Sequence, residues 1–423
     1  MAAPPRKSPL KHLRASDLLG VAQLATQATM GVTQIVEGVH QSVWSTLGVP
    51  GGPAPGQTGG LTGLVYRSIA GTTRLVGRGA ELALSRLQPV LEATVADKPG
   101  TPEREAVLAA LNGVMGDWLE KSGSSLATPM TLRWNGAPLE LGQALRVSAA
   151  KRKVVLLIHG LCMNDLQWRC EHEGQVVDHG HTASAVLGAT PLYLRYNTGL
   201  NISRNGHLLA DQLALLQANW PKPLEQLSVI AHSMGGLVIR SALNSAQSRG
   251  LRWPGVLKHI VFLGTPHHGA PLERAGNWVD LLLGGTPWSA PFTRLTQLRS
   301  AGITDLRYGF VSDSDCQGKQ RFRRAPDQRI ALPLPGHVAC FTVAATLAGQ
   351  RSVLADRLIG DGLVPLHSAL GQHANAERTL HFAPAAQHIL YRTNHMQLLS
   401  SPEVGAQLLA WLRPGSASAP ARS

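Results

Sequence analysis

The segment Leu227–Arg240, which reads L-S-V-I-A-H-S-M-G-G-L-V-I-R, constrains the fold of this 423-residue chain more than any other. Its first half is a short β-branched apolar run, typical of a strand buried on both faces, and its second half has the apolar content of a packed helix. Ser233 lies at the junction, between Ala231 and Gly235. A strand that turns directly into a helix strains the residue at the turn and leaves no room for bulky neighbours. The small residues therefore predict a sharp strand–turn–helix unit that presents the Ser233 hydroxyl.

This short pattern is weak evidence when it stands alone. Ala231 occupies the place of the first glycine in the G-x-S-x-G form of such a turn. A serine between small residues is also typical of an ordinary helix N-cap. A nucleophilic serine requires a base, an acid and an oxyanion site elsewhere in the chain, so the remaining motifs decide between the two interpretations.

An oxyanion site is predicted from Lys153–Cys162, which reads K-V-V-L-L-I-H-G-L-C. The apolar run indicates a buried strand, and the loop that follows such a strand supplies backbone amides to an oxyanion. We expect the N–H groups of Leu161 and Met234 to bind it. His159 is interpreted as a residue that orders the loop, and His232 as one that packs beside the turn.

Candidates for the acid and the base follow downstream. Asp361 lies in the glycine-flanked segment I-G-D-G-L-V-P, and His395 lies in N-H-M-Q-L-L before a C-terminal helix. The order Ser, Asp, His is that of α/β-hydrolases and differs from the orders of the chymotrypsin and subtilisin arrangements. We expect Ser233 as nucleophile, His395 as base and Asp361 as the acid that orients the base. The motifs favour these residues over candidates that stay open: Asp356 and Asp313 for the acid, and His367, His381 and His388 for the base.

Strands and helices alternate beyond a boundary near Ser125. Asn135-Gly136 predicts the two-residue turn of an edge hairpin within residues 130–147. The alternation predicts an α/β fold, an α/β-hydrolase with a doubly wound, mostly parallel sheet. Apart from the strand before Ser233, apolar strands are predicted at 154–158, 190–197, 259–264, 338–345 and 380–383. A helix is predicted between the first two of these strands, and another at about 206–220.

The first 125 residues have a different pattern. Residues 1–15 are basic and proline-rich, and we predict a disordered tail there. Over 16–125 we predict an N-terminal helical region with helices that begin at Ser16, at about Leu61 and at Thr101. Two roles stay open for these helices: a bundle packed on itself or on the hydrolase, and a platform on an anionic membrane or lipid surface. The catalytic domain is predicted over 126–413, followed by a disordered tail over 414–423.

Residues 272–329 interrupt the parallel pattern and are too many for an ordinary connection. We predict a cap or lid insertion whose apolar underside faces an acyl chain. The alternative is a solvated insertion with a small core of its own. Candidate substrate-binding residues in this insertion are Trp278, Leu282, Trp288 and Phe292.

Composition excludes several functions. The formal charge of +13 comes from scattered basic residues without a nucleic-acid motif, which favours an anionic lipid surface over nucleic acid as a partner. The four cysteines lack metal-ligand spacing, and the adjacent His267 and His268 rarely bind one ion together, so we expect neither a metal nor another cofactor. The segment from Leu18 to Met30 is too polar for a signal peptide and too short to span a bilayer. A cytoplasmic protein is expected, with peripheral membrane association as an alternative.

With these motifs in place, residues from about 130 to 413 resemble lipase-like α/β-hydrolases, in particular the bacterial serine esterases grouped with GPI inositol-deacylase-like hydrolases. The resemblance rests on the A-H-S-M-G-G turn, the H-G loop, the G-D-G turn and the N-H-M-Q-L-L segment. It implies cleavage of carboxylic esters, such as lipid or acyl esters, by Ser233, Asp361 and His395. Alternatives are acyl transfer or thioester cleavage by the same residues, and a non-catalytic scaffold with the hydrolase fold.

Overall fold

A computed structural model describes most of the chain beyond residue 100 and a few helical residues before it. The described residues are 101–141, 147, 150–270, 300–316, 329–350 and 360–413, together with Asp17, Leu19, Gly20, Gln23, Thr26 and 64–78 apart from 66 and 77.

The chain divides into two compact units. An N-terminal unit comprises Met1–Arg104 and Leu119–Ala127, and a sheet unit comprises Glu105–Trp118 and Thr128–Ser423. In the N-terminal unit the described residues between 64 and 78 are helical, and Arg104 forms an ion pair of 2.5 Å with Asp17.

The sheet unit is built on eight strands in the order β10-β9-β8-β7-β3-β6-β1-β2. Neighbours run parallel from β10 to β6, whereas β1 pairs antiparallel with β6 and with β2. A separate hairpin is formed by β4 and β5. The strands are β1 Thr131–Trp134, β2 Ala137–Pro138, β3 Lys153–Ile158, β4 Arg169–His172, β5 Gln175–Asp178, β6 Thr190–Arg195, β7 Gln226–His232, β8 Leu257–Leu263, β9 Ala339–Thr346 and β10 Gln387–Tyr391.

Helices cover both faces of this sheet. The α-helices are α1 Pro102–Lys121, α2 His179–Leu187, α3 Ile202–Asn219, α4 Met234–Ser248, α5 Ala301–Tyr308, α6 Asp313–Cys316, α7 Leu366–Ala369 and α8 Pro402–Leu412. Helix α1 departs from helical backbone angles at Met115. Among the described residues, no helix combines the length and the apolar character that crossing a membrane requires.

The continuous apolar run in β3 reflects burial on both sides. Val154 and Leu156 belong to the core that also holds the apolar residues of α3 and α4, whereas Val155 and Leu157 belong to the core beneath α2 and α8. Side chains alternate across a strand, so a strand covered on both faces has no polar position. Because the strands from β3 to β10 are parallel, the loops that follow them lie along one edge of the sheet, where α/β proteins place their sites.

Part of helix α1 packs within the sheet unit through two glycines. A Cβ atom on Gly113 would lie 2.2 Å from Cys162 Sγ, and one on Gly116 would lie 1.8 Å from Asn197 Oδ1. Asn197 also donates a hydrogen bond of 2.9 Å to the Gly116 carbonyl, and Ser300 donates one of 2.7 Å to the Gly113 carbonyl. Glu105–Trp118 therefore contacts the loops that follow β3 and β6.

The predicted α/β-hydrolase fold is confirmed, and so is the edge hairpin, in which Asn135 (φ 48°) and Gly136 (φ 78°) adopt the positive φ angles of a tight turn. The strand predicted at 380–383 is wrong. Leu380 and Phe382 are buried, but the last strand is β10, a partly exposed edge strand without a continuous apolar run. An apolar segment of four residues reports burial and does not by itself distinguish a strand from a packed loop.

The substrate-binding candidates Trp278, Leu282, Trp288 and Phe292 lie outside the described residues. The described part of the predicted insertion contains α5 and α6.

Candidate active site

Ser233 occupies the strained turn that its small neighbours predict. Strand β7 ends at His232 and helix α4 begins at Met234, and Ser233 between them has φ 54° and ψ −124°. Its N–H donates a hydrogen bond of 2.8 Å to the Leu263 carbonyl of the neighbouring strand. A non-glycine residue in this backbone region costs about 1–3 kcal/mol, so the surrounding contacts must impose it.

Two glycines make room for the turn. A Cβ atom on Gly235 would lie 2.5 Å from the Ile158 carbonyl oxygen, and one on Gly160 would lie 2.9 Å from the Cβ atom of Ser233. The loop after β3 therefore lies directly against the serine. This contact brings the H-G loop and the serine turn together, as the motifs predict.

His395 and Asp361 form a buried pair. His395 Nδ1 lies 2.6 Å from Asp361 Oδ2, and the His395 N–H donates to the Asp361 carbonyl at 3.1 Å. The other carboxylate oxygen, Oδ1, accepts the backbone N–H groups of Leu363 at 3.0 Å and Val364 at 2.8 Å. An ionised carboxylate accepts only, so His395 carries its proton on Nδ1 and Nε2 has a free lone pair. That Nε2 atom is buried and has no hydrogen-bond partner among the described residues.

The pair lies beside the serine turn. The rings of His232 and His395 are 4.6 Å apart, and His232 Nε2 donates to the His395 carbonyl at 3.2 Å. Gly264 also lies against His395, since a Cβ atom on Gly264 would lie only 3.1 Å from His395 Nδ1. Gly264 directly follows Leu263, whose carbonyl accepts the N–H of Ser233. The ends of β7, β8, β9 and β10 thus bring together positions that are far apart in the sequence.

The two other histidines of this region are buried and neutral. Burial, and then the charge of His395, hold the pKa of His232 well below its usual value. Burial lowers the pKa of His159 to about 4. The His159 ring stacks on Tyr196 at a centroid distance of 4.4 Å. Neutral neighbours add no positive charge beside His395, which favours formation of its imidazolium.

Not every amide of the loop after β3 is available to an oxyanion. Cys162 has φ 58°, and its N–H donates to Thr198 Oγ1 at 3.2 Å. The N–H groups of Leu161 and Met234, by contrast, have no hydrogen-bond partner in the part of the chain that the structure describes. Met234 is the first residue of α4, where N–H groups lack partners within the helix and favour negative charge. Sequence reasoning missed Thr198, since no local motif marks a hydroxyl 36 residues away from its partner.

The competing acids and bases have other surroundings. Asp313 is exposed and lies 2.7 Å from His207, whose hydrogen bond lowers the Asp313 pKa. His388 lies 2.9 Å from Glu403, and His381 is exposed. His367 lies in α7. Asp356 lies outside the described residues.

Neither a metal site nor a reactive thiol is found among the described residues. No group of three or more His, Cys, Asp or Glu residues is arranged to hold a metal ion within the described ranges. Cys162, Cys170 and Cys340 are free thiols. Burial raises the pKa of Cys162 and of Cys340 to about 12, so both are protonated at neutral pH.

Comparison with known proteins agrees with this description. Residues 149–294 match the family of the PGAP1-like alpha/beta domain. The match contains Ser233, Leu161 and Met234, and it ends before Asp361 and His395. No curated protein sequence matches the chain.

Solved structures with a similar fold include two lipases and an esterase. A mature lipase from Bacillus licheniformis is 17% identical, covering 67% of this chain and 98% of that one, with a TM-score of 0.40. Aspergillus fumigatus lipase B is 13% identical, covering 64% and 56%, with a TM-score of 0.37. An esterase from Pyrococcus furiosus is 15% identical, covering 64% and 85%, with a TM-score of 0.33. At these identities no substrate is carried over from them.

Proposed function

We propose that this chain, which has an α/β-hydrolase fold and matches the PGAP1-like alpha/beta domain over residues 149–294, is a serine hydrolase that cleaves carboxylic esters through an acyl-enzyme. Ser233 is the proposed nucleophile, His395 the general base and Asp361 the residue that orients it. The proposed substrate is a lipid or another acyl ester.

One observation carries the proposal. His395 is buried, and its Nδ1 atom lies 2.6 Å from Asp361 Oδ2. Its Nε2 atom has no hydrogen-bond partner among the described residues. The ring lies beside the turn of Ser233, whose φ is 54°. The missing partner does not by itself distinguish His395, since His159, His232 and His267 each have a buried ring nitrogen without a partner among the described residues. His395 differs from them because a carboxylate holds its opposite ring nitrogen. A base that must accept a proton from serine needs this free lone pair.

In the acylation step, Ser233 Oγ attacks the carbonyl carbon of the ester, and the hydroxyl proton moves to His395 Nε2. Asp361 stays ionised and stabilises the imidazolium. The oxygen of the tetrahedral intermediate becomes negatively charged, and the N–H groups of Leu161 and Met234 bind it. His395 then gives its proton to the leaving alcohol as the carbon–oxygen bond breaks.

In the deacylation step, water replaces the alcohol. His395 removes a proton from the water as it attacks the acyl-enzyme, and then returns that proton to Ser233 Oγ. The cycle needs no metal or organic cofactor, since every proton is carried by these side chains.

A fluorophosphonate probe tests the nucleophile, since it reacts only with an activated serine. Ser233→Ala should abolish both labelling and esterase activity, because no other hydroxyl lies in the strained turn. Ser241→Ala is the matched control, a buried serine on the same helix α4. Equal labelling of wild type and Ser233→Ala would refute the assignment.

An acyl preference is proposed from the sequence of the insertion. Trp278, Leu282, Trp288 and Phe292 are the residues we propose to line an acyl site beneath a lid. Each methylene removed from water contributes about 0.8 kcal/mol, so Trp288→Ala should slow long-chain esters far more than acetate or butyrate esters. An equal loss of hydrolysis rate for all acyl chain lengths would instead show that Trp288 supports the fold and does not contact the acyl chain.

Peripheral binding to an anionic membrane is a further part of the proposal, with the region 16–125 as the helical platform and 126–413 as the catalytic domain. Within the former region, Glu105–Trp118 belongs to the sheet unit and is left out of the platform. The net charge of +13 supports it. Flotation of the full-length protein with anionic and with neutral liposomes tests it, and equal flotation with both would exclude an electrostatic platform.

A further inference from the structure

A cleft in the sheet unit is lined by positively charged side chains. It is partly open to solvent, and its lining includes Arg240, His267, His268, Arg329 and Arg378. Arg240 lies seven residues after Ser233 on α4, a distance of about 10 Å along the helix. None of the proposed catalytic residues lines this cleft.

Arg240 is buried there without a carboxylate. Its side chain is 9% exposed, its Nη2 atom donates to the Leu332 carbonyl at 2.7 Å, and its Nη1 atom lies 3.5 Å from His267 Nδ1. It forms no ion pair within the described ranges. Burial lowers the pKa of Arg240 to about 10, which reflects the cost of a guanidinium removed from water.

Asp315 is the carboxylate whose charge acts on Arg240, but its oxygens accept hydrogen bonds from other groups. Its Oδ2 atom accepts the backbone N–H groups of Val311 and Ser312, and its Oδ1 atom accepts that of Ile330. Asp315 therefore orders the surrounding loop and does not pair directly with Arg240.

His267 adds an unused donor. It is 1% exposed, and because its Nδ1 atom accepts from the Arg240 guanidinium, the ring proton lies on Nε2. This Nε2 atom has no hydrogen-bond partner among the described residues. Burial and the charge of Arg240 hold the pKa of His267 well below its usual value, so the ring is a neutral donor.

Further donors surround these two residues. His268 donates from Nε2 to the Gly371 carbonyl, and burial followed by the charges of Arg329 and Arg240 lowers its pKa to about 4. Arg329 donates to the Gly309 carbonyl at 3.3 Å, and Arg378 completes the lining. The lining of the cleft thus holds guanidinium groups and histidine rings, with no acidic side chain among its described residues.

We propose that this cleft binds a phosphate group. A guanidinium matches two oxygens of a phosphate, and the remaining oxygens can accept the His267 N–H and a second arginine. A phosphate dianion also supplies the negative charge that the buried Arg240 lacks. A carboxylate has fewer oxygens and a single charge, and would leave part of this donor set unsatisfied. The site is independent of the esterase proposal and of Ser233.

Calorimetric titration of the full-length protein with inorganic phosphate tests the site. We expect saturable binding that is about tenfold weaker or worse in Arg240→Gln and in Arg378→Gln, because each removes a hydrogen bond from a charged donor. Arg249→Gln is the matched control, since it removes the same charge from an exposed residue that pairs with Asp211 at 2.5 Å. If Arg240→Gln fails to fold for want of its bond to Leu332, Arg378→Gln decides the outcome.

Vesicles distinguish the two sources of a phosphate group. The same variants are sedimented with vesicles of phosphatidylcholine alone and of phosphatidylcholine mixed equally with phosphatidic acid. Binding of free phosphate that depends on Arg378, without such dependence on vesicles, identifies a small phosphorylated ligand. Vesicle binding that depends on Arg378 but not on Arg249 identifies a lipid head group. Equal behaviour of Arg378→Gln, Arg249→Gln and wild type in both assays overturns the proposal.

Discussion

Replacing Asp361 by asparagine should disable the proposed base without disturbing its position. Asp361 Oδ1 accepts two backbone N–H groups, and Oδ2 faces His395 Nδ1 at 2.6 Å. In the variant, the amide oxygen keeps the two backbone bonds and the amide nitrogen faces His395. The opposite orientation would lose two hydrogen bonds of about 1 kcal/mol each, so it is disfavoured roughly thirtyfold.

This orientation forces the wrong tautomer on the base. The asparagine amide nitrogen donates to His395 Nδ1, so the imidazole proton moves to Nε2, where it blocks acceptance of the Ser233 proton. The same exchange in a serine protease triad lowers kcat by about 10⁴, which corresponds to roughly 5.5 kcal/mol of transition-state stabilisation. We expect a loss of this size with KM nearly unchanged, because the carboxylate does not contact the substrate.

Hydrolysis of p-nitrophenyl butyrate, with kcat and KM measured separately, gives the result. Circular dichroism and thermal unfolding of Asp361→Asn should match wild type within a few degrees. Asp313→Asn serves as the control, since Asp313 is an exposed carboxylate that also lies beside a histidine. Retention of more than about a tenth of the wild-type kcat in Asp361→Asn, or a crippling effect of Asp356→Asn in its place, would refute the reasoning.

Three further outcomes follow from the packing around the site. Gly160→Ala should lower kcat about a hundredfold with little change in KM, because its Cβ atom would lie 2.9 Å from that of Ser233 and displace the turn; kinetics of the pure variant checks this. His159 alone should contribute a loss of about 3 kcal/mol in the free energy of unfolding as the pH drops from 6.5 to 4, since this buried ring protonates in the unfolded state first and the other buried histidines add to the loss; urea unfolding should show a correspondingly flatter pH profile in His159→Gln. A protein that begins near Ser125 lacks Glu105–Trp118 and should be insoluble or several kcal/mol less stable, whereas one that begins at Thr101 should keep esterase activity. If the protein that begins near Ser125 is soluble and active, helix α1 is dispensable.

Local sequence determined much of the fold. The serine turn could be predicted because only small residues fit where Gly235 meets the Ile158 carbonyl. The strands of the sheet interior could be predicted because burial on both faces leaves a continuous apolar run, as in β3. An apolar run did not reveal β10, because this edge strand is partly exposed. An apolar run at 380–383 led to a wrong strand prediction, because Leu380 and Phe382 are buried outside any strand.

Only part of the candidate site could be predicted from the sequence. Motifs and chain order singled out Ser233, Asp361 and His395, whose catalytic roles stay a proposal. Thr198 accepts the N–H of Cys162 and so removes one amide of the β3 loop from the candidate oxyanion site. Asp313 is exposed at its place on α6. No local sequence motif predicts either feature.

The sequence by itself determined the chemistry available to this protein and the order of its secondary structure, because backbone strain, helix and strand periodicity and turn preferences act between residues close in the chain. Tertiary structure alone decided which side chains meet. The pairing of His395 with Asp361 joins residues 34 positions apart, and the cleft of Arg240 and His267 gathers donors from α4, the loop after β8 and the segment at 329–332. Such contacts arise where strands are arranged in an order different from their order in the chain, so hydrogen-bond partners and buried charges are set by the sheet topology and not by any local pattern.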